Sequence, residues 1–170
     1  MTPALDSADA ALDRALDRLR GNPLADRVFY TASQVGDFSL VWHVINVGLV
    51  LVGVRSFKQA LRLALALGAE SLLVNQGIKR LFRRKRPQSG DVHPHAVRTP
   101  STSSFPSGHA SSATLAATLL TKDHPSLAPL FWLTAAVVSL SRPYVRAHHA
   151  SDIVGGVVTG SVLARLLQHV

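Results

Sequence analysis

Apolar residues in this 170-residue chain gather into five blocks, preceded by one stretch in which they recur at helical spacing. In that stretch, residues 4–20, Leu5, Leu12, Leu16 and Leu19 share a face and Asp and Arg fill the other, which predicts an amphipathic helix. Gly21-Asn22-Pro23 ends it. Such a helix is too charged to span a bilayer and is expected to lie at the interface or to pack on a bundle. Residues 38–54 carry no Asp, Glu, Lys or Arg, and at ~1.5 Å per residue they nearly cross a hydrocarbon core. Arg55 and Lys58 close that run. A second apolar helix is predicted over 59–78, with Arg62 and Glu70 inside it. A basic loop containing Pro and Gly follows, from Arg80 to about Pro100. A third helix starts at Pro106 and reaches residue 121, and Lys122-Asp123-His124-Pro125 makes a turn. Residues 126–141 form a fourth run, Arg142-Pro143 is expected to break it, and a fifth helix is predicted from about 148 to 167.

No stretch reads as a strand, and internal repeats are absent. The expectation is an all-α, membrane-embedded helical bundle of about five spanning helices plus the N-terminal amphipathic helix. Residues 1–37 form the amphipathic segment and 38–170 the membrane domain. Each run is short for a span, so a soluble helical bundle is the alternative, although its helices should show more charged faces.

Composition strengthens the membrane reading: 47% of residues are hydrophobic, only 16% are charged, and the mean hydropathy is +0.21. The net charge of +8 is unevenly spread. Residues 1–37 hold four Arg and six Asp, a net of −2, whereas 38–170 hold fourteen Lys and Arg against Glu70, Asp91, Asp123 and Asp152, a net of +10. Such a surplus usually suggests nucleic acid. Here the cations interrupt apolar blocks, so a phospholipid-like partner in a bilayer fits better and nucleic acid does not. The absence of cysteine excludes disulfides and thiolate metal sites. Asp6, Asp9, Asp13 and Asp17 occupy the place where a signal peptide needs a basic end and an apolar stretch. Multi-pass insertion in the cell membrane is therefore expected.

Polar residues collect where the predicted helices meet one face. Lys79 to Pro87 follow the second helix, Pro106 to His109 open the third, Ser141-Arg142 close the fourth, and His148 to Asp152 open the fifth. In an up-and-down bundle all four places share one end, and ionisable groups gathered there mark a functional site. Lys79, Arg86 and Arg142 supply fixed positive charge for phosphate oxygens. Pro106-Ser107-Gly108-His109 is a helix start whose free N–H groups favour an anion, with Gly108 allowing close approach and Ser107 adding a hydroxyl. His148 and Asp152, four apart on a helix, should share a face. The carboxylate would fix the imidazole tautomer and leave the far nitrogen free to attack, and His109 could protonate a departing alcohol.

Blander readings stand beside these. A lone helical His is usually just hydrogen-bonded. His149 rivals His148, and only spacing to Asp152 and Arg142 separates them. Arg80, Arg83, Arg84 and Lys85 read most simply as a solvated or headgroup-facing basic loop. His93 and His95 have the spacing of a metal pair but lack an evident third ligand.

Taken together, the clusters resemble the type 2 phosphatidic acid phosphatase (PAP2) superfamily, the lipid phosphate phosphatases. Its motifs K-x6-RP, PSGH and SR-x5-H-x3-D stand here as Lys79 to Pro87, Pro106 to His109 and Ser141 to Asp152, with all eleven defining positions filled in order. The resemblance implies that Lys79, Arg86 and Arg142 bind the phosphoryl oxygens, helped by Ser107 and the Gly108 backbone. It implies that His148 is the nucleophile and becomes a phosphohistidine, that Asp152 orients it, and that His109 protonates the leaving oxygen and then activates water. It implies no metal and no other cofactor. Typical members have six spanning helices; this chain shows five, with the amphipathic helix in place of the first. An odd number of spans puts that helix on the site's side.

The expected activity is removal of phosphate from a membrane lipid. Polyprenyl diphosphate, a polyprenyl-phosphate sugar phosphate, phosphatidylglycerol phosphate and phosphatidic acid are the candidate substrates. The compact size is similar to small bacterial enzymes of cell-wall synthesis, including one activity on decaprenylphosphoryl-5-phosphoribose, and favours a polyprenyl carrier. Vanadium-dependent haloperoxidases share the motifs but are soluble and much larger. A non-catalytic lipid-binding protein would have no need of the full set of motif residues. The sequence leaves a homo-oligomer open.

Overall fold

The computed structural model describes residues 3–87 and 101–167. It is all-α, with helices α1 (Pro3–Asp17), α2 (Pro23–Gly36), α3 (Leu40–Leu51), α4 (Phe57–Leu72), α5 (Gly108–Asp123), α6 (Ala128–Tyr144) and α7 (Ala150–Leu167). The amphipathic helix and the five apolar blocks each find their helix. Helix α2 is an addition, because its Asp26, Arg27 and Gln34 interrupt the apolar spacing that sequence reading relies on. Its start is nonetheless well specified. The Asn22 side chain accepts from the backbone N–H of Leu24 and Ala25 at 3.0 and 3.1 Å, and Pro23 follows at the first helical position.

Helices α2 and α3 form one rod, Pro23–Leu51, bent at Phe38 and Ser39, whose φ values are 53° and 58°. The division expected at residue 37 falls at this bend, and side chains from both sides of it line the site described below. Helix α4 opens with a reciprocal cap between Ser56 and Gln59. It then loosens through a π turn, Leu73–Gly77, into a 3-10 turn, Ile78–Leu81, that presents Lys79.

Two boundaries differ from expectation. Arg142-Pro143 does not break α6, which continues to Tyr144. Pro143 sits in the last turn, where its missing N–H leaves a single carbonyl without its intrahelical donor. The Arg20 guanidinium, from the α1–α2 connection, satisfies the helix end by donating to the Pro143 and Tyr144 carbonyls, both at 2.8 Å. Helix α7 begins at Ala150, so His148 precedes the helix instead of lying on it.

Helix α5 runs through the middle of the bundle and is buried nearly all round, from Ala110 to Leu120. Helix α7 lies directly against it. A Cβ at Gly156 or Gly160 would run into the Ser107 or Ser111 carbonyl, so these glycines let two backbones touch. Trp42, Leu63, Leu67, Leu115, Phe131 and Val138 fill the main core. A second cluster, Leu16, Tyr30, Tyr144, Val145 and Ala147, docks α1 onto the bundle through Leu12 and Leu16. Of the two placements open to the amphipathic helix, packing on the bundle is the one adopted. At the opposite end, Asp123 pairs with Arg55 at 2.9 Å and Arg62 at 3.0 Å.

Among the described residues, two rods are long and apolar enough to cross a membrane, Pro23–Leu51 and Ala150–Leu167. Helices α4, α5 and α6 have 16, 16 and 17 residues. The outward faces are apolar: Val47, Leu51, Leu65, Leu133, Val154 and Leu166 are all exposed.

Candidate active site

The bend in the α2–α3 rod, the end of α4, the start of α5, the end of α6 and the turn before α7 enclose one cavity of about 310 Å³. Lys79, Arg86, Gly108, His109, Arg142 and His148 all lie on its wall. The sequence motifs, up to 69 residues apart in the chain, therefore meet in space.

His148 is held from both sides. Its backbone N–H and that of Ala147 donate to the Arg142 carbonyl at 3.3 and 2.9 Å, which curls the turn back onto α6. On the ring, Nε2 lies 3.2 Å from Arg86 Nη1, a pure donor, so Nε2 is unprotonated. The proton then sits on Nδ1, which faces Asp152 Oδ2 at 3.5 Å. Burial pushes the imidazole down to about 3, reinforced by the charges of Arg142 and Arg86 and opposed by Asp152. His148 is thus a neutral base with its lone pair on the nitrogen beside the cavity cations. Arg86 also donates to the Ala147 carbonyl at 2.7 Å, and burial lowers its pKa from the ordinary value, against the pull of Asp152.

Asp152 is fully buried at the first turn of α7. Its Oδ2 accepts from the His149 N–H at 2.8 Å, and its Oδ1 is paired with Arg84. His149 contributes that backbone donor and lines a second cavity, of about 490 Å³, between α1 and the loop at Arg84, which also reaches His148.

His109 sits in the first turn of α5. Its Nε2 lies 3.1 Å from the Ser33 carbonyl and 3.4 Å from Asp37 Oδ1, both acceptors, so this nitrogen carries the proton. Arg142 is buried and donates to the Ser33 hydroxyl. Lys79 Nζ donates to Asn75 Oδ1 at 2.9 Å, one turn back. An ideal Cβ on Gly108 would stand 3.7 Å from Lys79 Nζ and 3.5 Å from Asn75 Oδ1. The buried Ser107 hydroxyl caps α5, accepting from the Ala110 N–H at 3.4 Å, and keeps its own O–H to donate.

Several wall residues escape the motifs. Gly36 and Asp37 come from α2 and its bend, Glu70 from α4, and Asn75 from the π turn after it. Glu70 had one legible signal, an acid inside an apolar run. Arg84 corrects the reading of the basic loop. Arg80, Arg83 and Lys85 are exposed, but Arg84 turns inward to Asp152 and Asp9. His93 and His95 lie outside the described residues. Among the described residues no group of three or more His, Asp or Glu side chains could hold a metal ion.

An all-α bundle that brings three cations, two imidazoles and a helix N-terminus to one cavity defines a phosphoryl-handling helical protein. The match to the PAP2 superfamily covers residues 59–170. A decaprenylphosphoryl-5-phosphoribose phosphatase of Mycolicibacterium smegmatis is 35% identical over 92% of this chain and 84% of its own. The fold is similar to the crystal structure of a transmembrane PAP2 type phosphatidylglycerolphosphate phosphatase from Bacillus subtilis, with a TM-score of 0.73 and 29% identity over 99% of this chain and 86% of that one. Aquifex aeolicus LpxE shares the fold at a TM-score of 0.72 and 23% identity, covering 95% of this chain and 94% of that one. The chain belongs to the PAP2 superfamily: it is a lipid phosphatase, a hydrolase of phosphoric esters and a membrane protein.

Proposed function

We propose that the chain is a multi-pass phosphatase whose five rods span the membrane, and that it hydrolyses a phosphorylated polyprenyl carrier through a phosphohistidine on His148. The observation that carries the mechanism is the tautomer of His148, with free Nε2 beside Arg86 and Nδ1–H toward Asp152. In this reading Nε2 attacks phosphorus as the ester P–O bond breaks. His109, carrying a proton on both ring nitrogens in the substrate complex, gives one of them to the leaving oxygen and becomes neutral. Water then attacks phosphorus as the P–N bond breaks, neutral His109 takes the water's proton, and inorganic phosphate leaves with both imidazoles restored. Lys79, Arg86, Arg142 and the α5 N-terminus at Gly108 carry the charge on the phosphoryl oxygens throughout. Asp152 holds the tautomer and stabilises the imidazole as it gains positive character.

Membrane embedding is supported by the apolar outer faces of α3, α4, α6 and α7. The cavity opens between the α2–α3 bend and α4, where Phe38 and Leu72 are exposed at its edge. A lipid whose tail stays among the helices can reach the cations from that side. The mycobacterial relative favours a polyprenyl-phosphate sugar phosphate of the decaprenylphosphoryl-5-phosphoribose type. Phosphatidylglycerol phosphate is the second reading, favoured by the Bacillus subtilis structure.

Phosphate release by purified protein from a panel of decaprenylphosphoryl-5-phosphoribose, polyprenyl diphosphate, phosphatidylglycerol phosphate and phosphatidic acid tests both points. The polyprenyl ribose phosphate is expected to give the highest kcat/KM, with His148→Ala inactive on every substrate. Preference for a glycerolipid overturns the substrate, and equal release by His148→Ala overturns the nucleophile.

A further inference from the structure

Asp9 is a carboxylate on the buried side of an amphipathic helix, where apolar residues are the rule, and the mechanism above gives it no task. Both its oxygens are engaged beside the start of α7, outside the cavity that holds Lys79 and Arg142. Oδ1 accepts from the Ser151 N–H at 2.8 Å. Oδ2 accepts from the Ser151 hydroxyl at 2.8 Å and from Arg84 Nη2 at 2.6 Å. Arg84 Nη1 donates to Ser151 Oγ at 2.8 Å and pairs with Asp152 Oδ1. The other oxygen of Asp152 faces His148. A continuous line of charged contacts therefore runs from α1 through one guanidinium to the reacting imidazole.

The geometry suits orientation more than adhesion. Helix α1 is already docked by Leu12 and Leu16 and by Arg20 at the end of α6, so an additional buried ion pair is not needed to hold it. A buried pair contributes little net stability once its desolvation is counted. A guanidinium, however, is a rigid planar fork that fixes two carboxylates relative to each other, which an ammonium cannot do. Asp152 has one oxygen tied to the His149 N–H and the other to Arg84, so its carboxylate plane is set from two directions.

We propose that Asp9 and Arg84 are positioning residues that set the Asp152 carboxylate against His148, making α1 a working part of the active site. This rests on His148 being the nucleophile, as proposed above. Neither residue lines the cavity that gathers Lys79, Arg86 and Arg142; in this proposal both act through Asp152.

The test uses the full chain in vesicles, with Asp9→Asn, Asp9→Glu, Arg84→Gln, Arg84→Lys and the double variant Asp9→Asn/Arg84→Gln. Asp9→Asn and Arg84→Gln are expected to lower kcat by roughly tenfold while KM stays within about twofold. Arg84→Lys should be as slow as Arg84→Gln, and Asp9→Glu should recover part of the loss. The double variant should be no slower than the worse single one, because both act through a single contact line. Ring-nitrogen NMR shifts of His148, assigned against His148→Ala, form the second readout and should move in Asp9→Asn. A loss confined to KM, multiplying effects in the double variant, or a slowed kcat with an unmoved His148 signal each overturns the proposal. Should His148→Ala retain activity, the nucleophile assignment falls on its own, and the ring signal in Asp9→Asn alone decides whether α1 governs the pair.

Discussion

A neutral imidazole among arginines is the centre of the proposed chemistry. Burial keeps His148 unprotonated down to about pH 3, against an ordinary value of 6.5, so its attacking form is populated throughout the usual working range. The sign follows: acidification from neutrality toward pH 5 adds no proton to the nucleophile, and kcat/KM shows no acid limb from it in that window. A pH profile checks this, and an acid limb near 6.5 that shifts in Asp152→Asn would assign the titration to His148 after all. Asp152→Asn itself is expected to leave the fold intact and to slow turnover by roughly 10²- to 10⁴-fold, because the imidazole loses its orienting charge. Turnover and a melting curve on the same sample separate the two effects. Lys79, Arg86, Gly108, His109, Arg142, His148 and Asp152 were legible because each sits at a fixed local spacing within a short motif. Ser33, Gly36 and Asp37 were not, since their approach to His109 and Arg142 depends on how α2 crosses α5. Arg84 was hidden differently: Arg83 and Lys85 flank it with the same charge, and only the fold decides which one faces Asp152.

The helices themselves were read from uncharged runs, and that signal was strongest where burial or lipid exposure is uniform. It failed at α2, whose polar side chains are spent on the site and on capping. It failed again at Pro143, where Arg20, 123 positions away, supplies the helix end with donors that no local rule anticipates. The tight approach of α7 to α5 gives a direct test. Gly160→Leu places a side chain against the Ser111 carbonyl, so α7 must move away from α5 and carry Asp152 with it. Both melting temperature and activity are expected to fall, whereas Gly68→Leu, with open space around its Cβ, should leave the packing undisturbed. A second test lies at the other end of α5. Asp123→Asn leaves the Arg55 side chain, which is fully buried, without its counter-charge. The expected cost is about 3 kcal/mol of stability, read from thermal unfolding in detergent, with kcat per folded molecule unchanged. The distance protects the site: Asp123 and Gly108 close opposite ends of a 16-residue helix, ~24 Å apart at ~1.5 Å per residue.

Taken as one body, the bundle places its fixed charges at two poles and its apolar surface between them. The cavity cations occupy one pole and the Arg55–Arg62–Asp123 cluster the other. This distribution predicts fractionation with membranes and resistance to extraction by alkaline carbonate, and recovery in the soluble fraction would contradict the spanning arrangement. The proposed mechanism also predicts that EDTA leaves turnover unaltered, since it assigns the phosphoryl charge to Lys79, Arg86 and Arg142; loss of activity reversed by a divalent cation would place a metal in the reaction. The surplus of cations pointed to a phosphate-bearing partner, and it was their interruption of apolar blocks that favoured a lipid, in keeping with a PAP2 lipid phosphatase.

The contact between Asp9 and Ser151 spans 142 positions of sequence. The ribosome has therefore made almost every other part of the protein before that contact can close. Until the final helix emerges, the first helix has Arg84 as a partner for Asp9 but not the Ser151 donors that tie it to the start of that helix. A product that stops short of residue 148 would hold Lys79, Arg86 and His109 but neither His148 nor Asp152, and is expected to be inert.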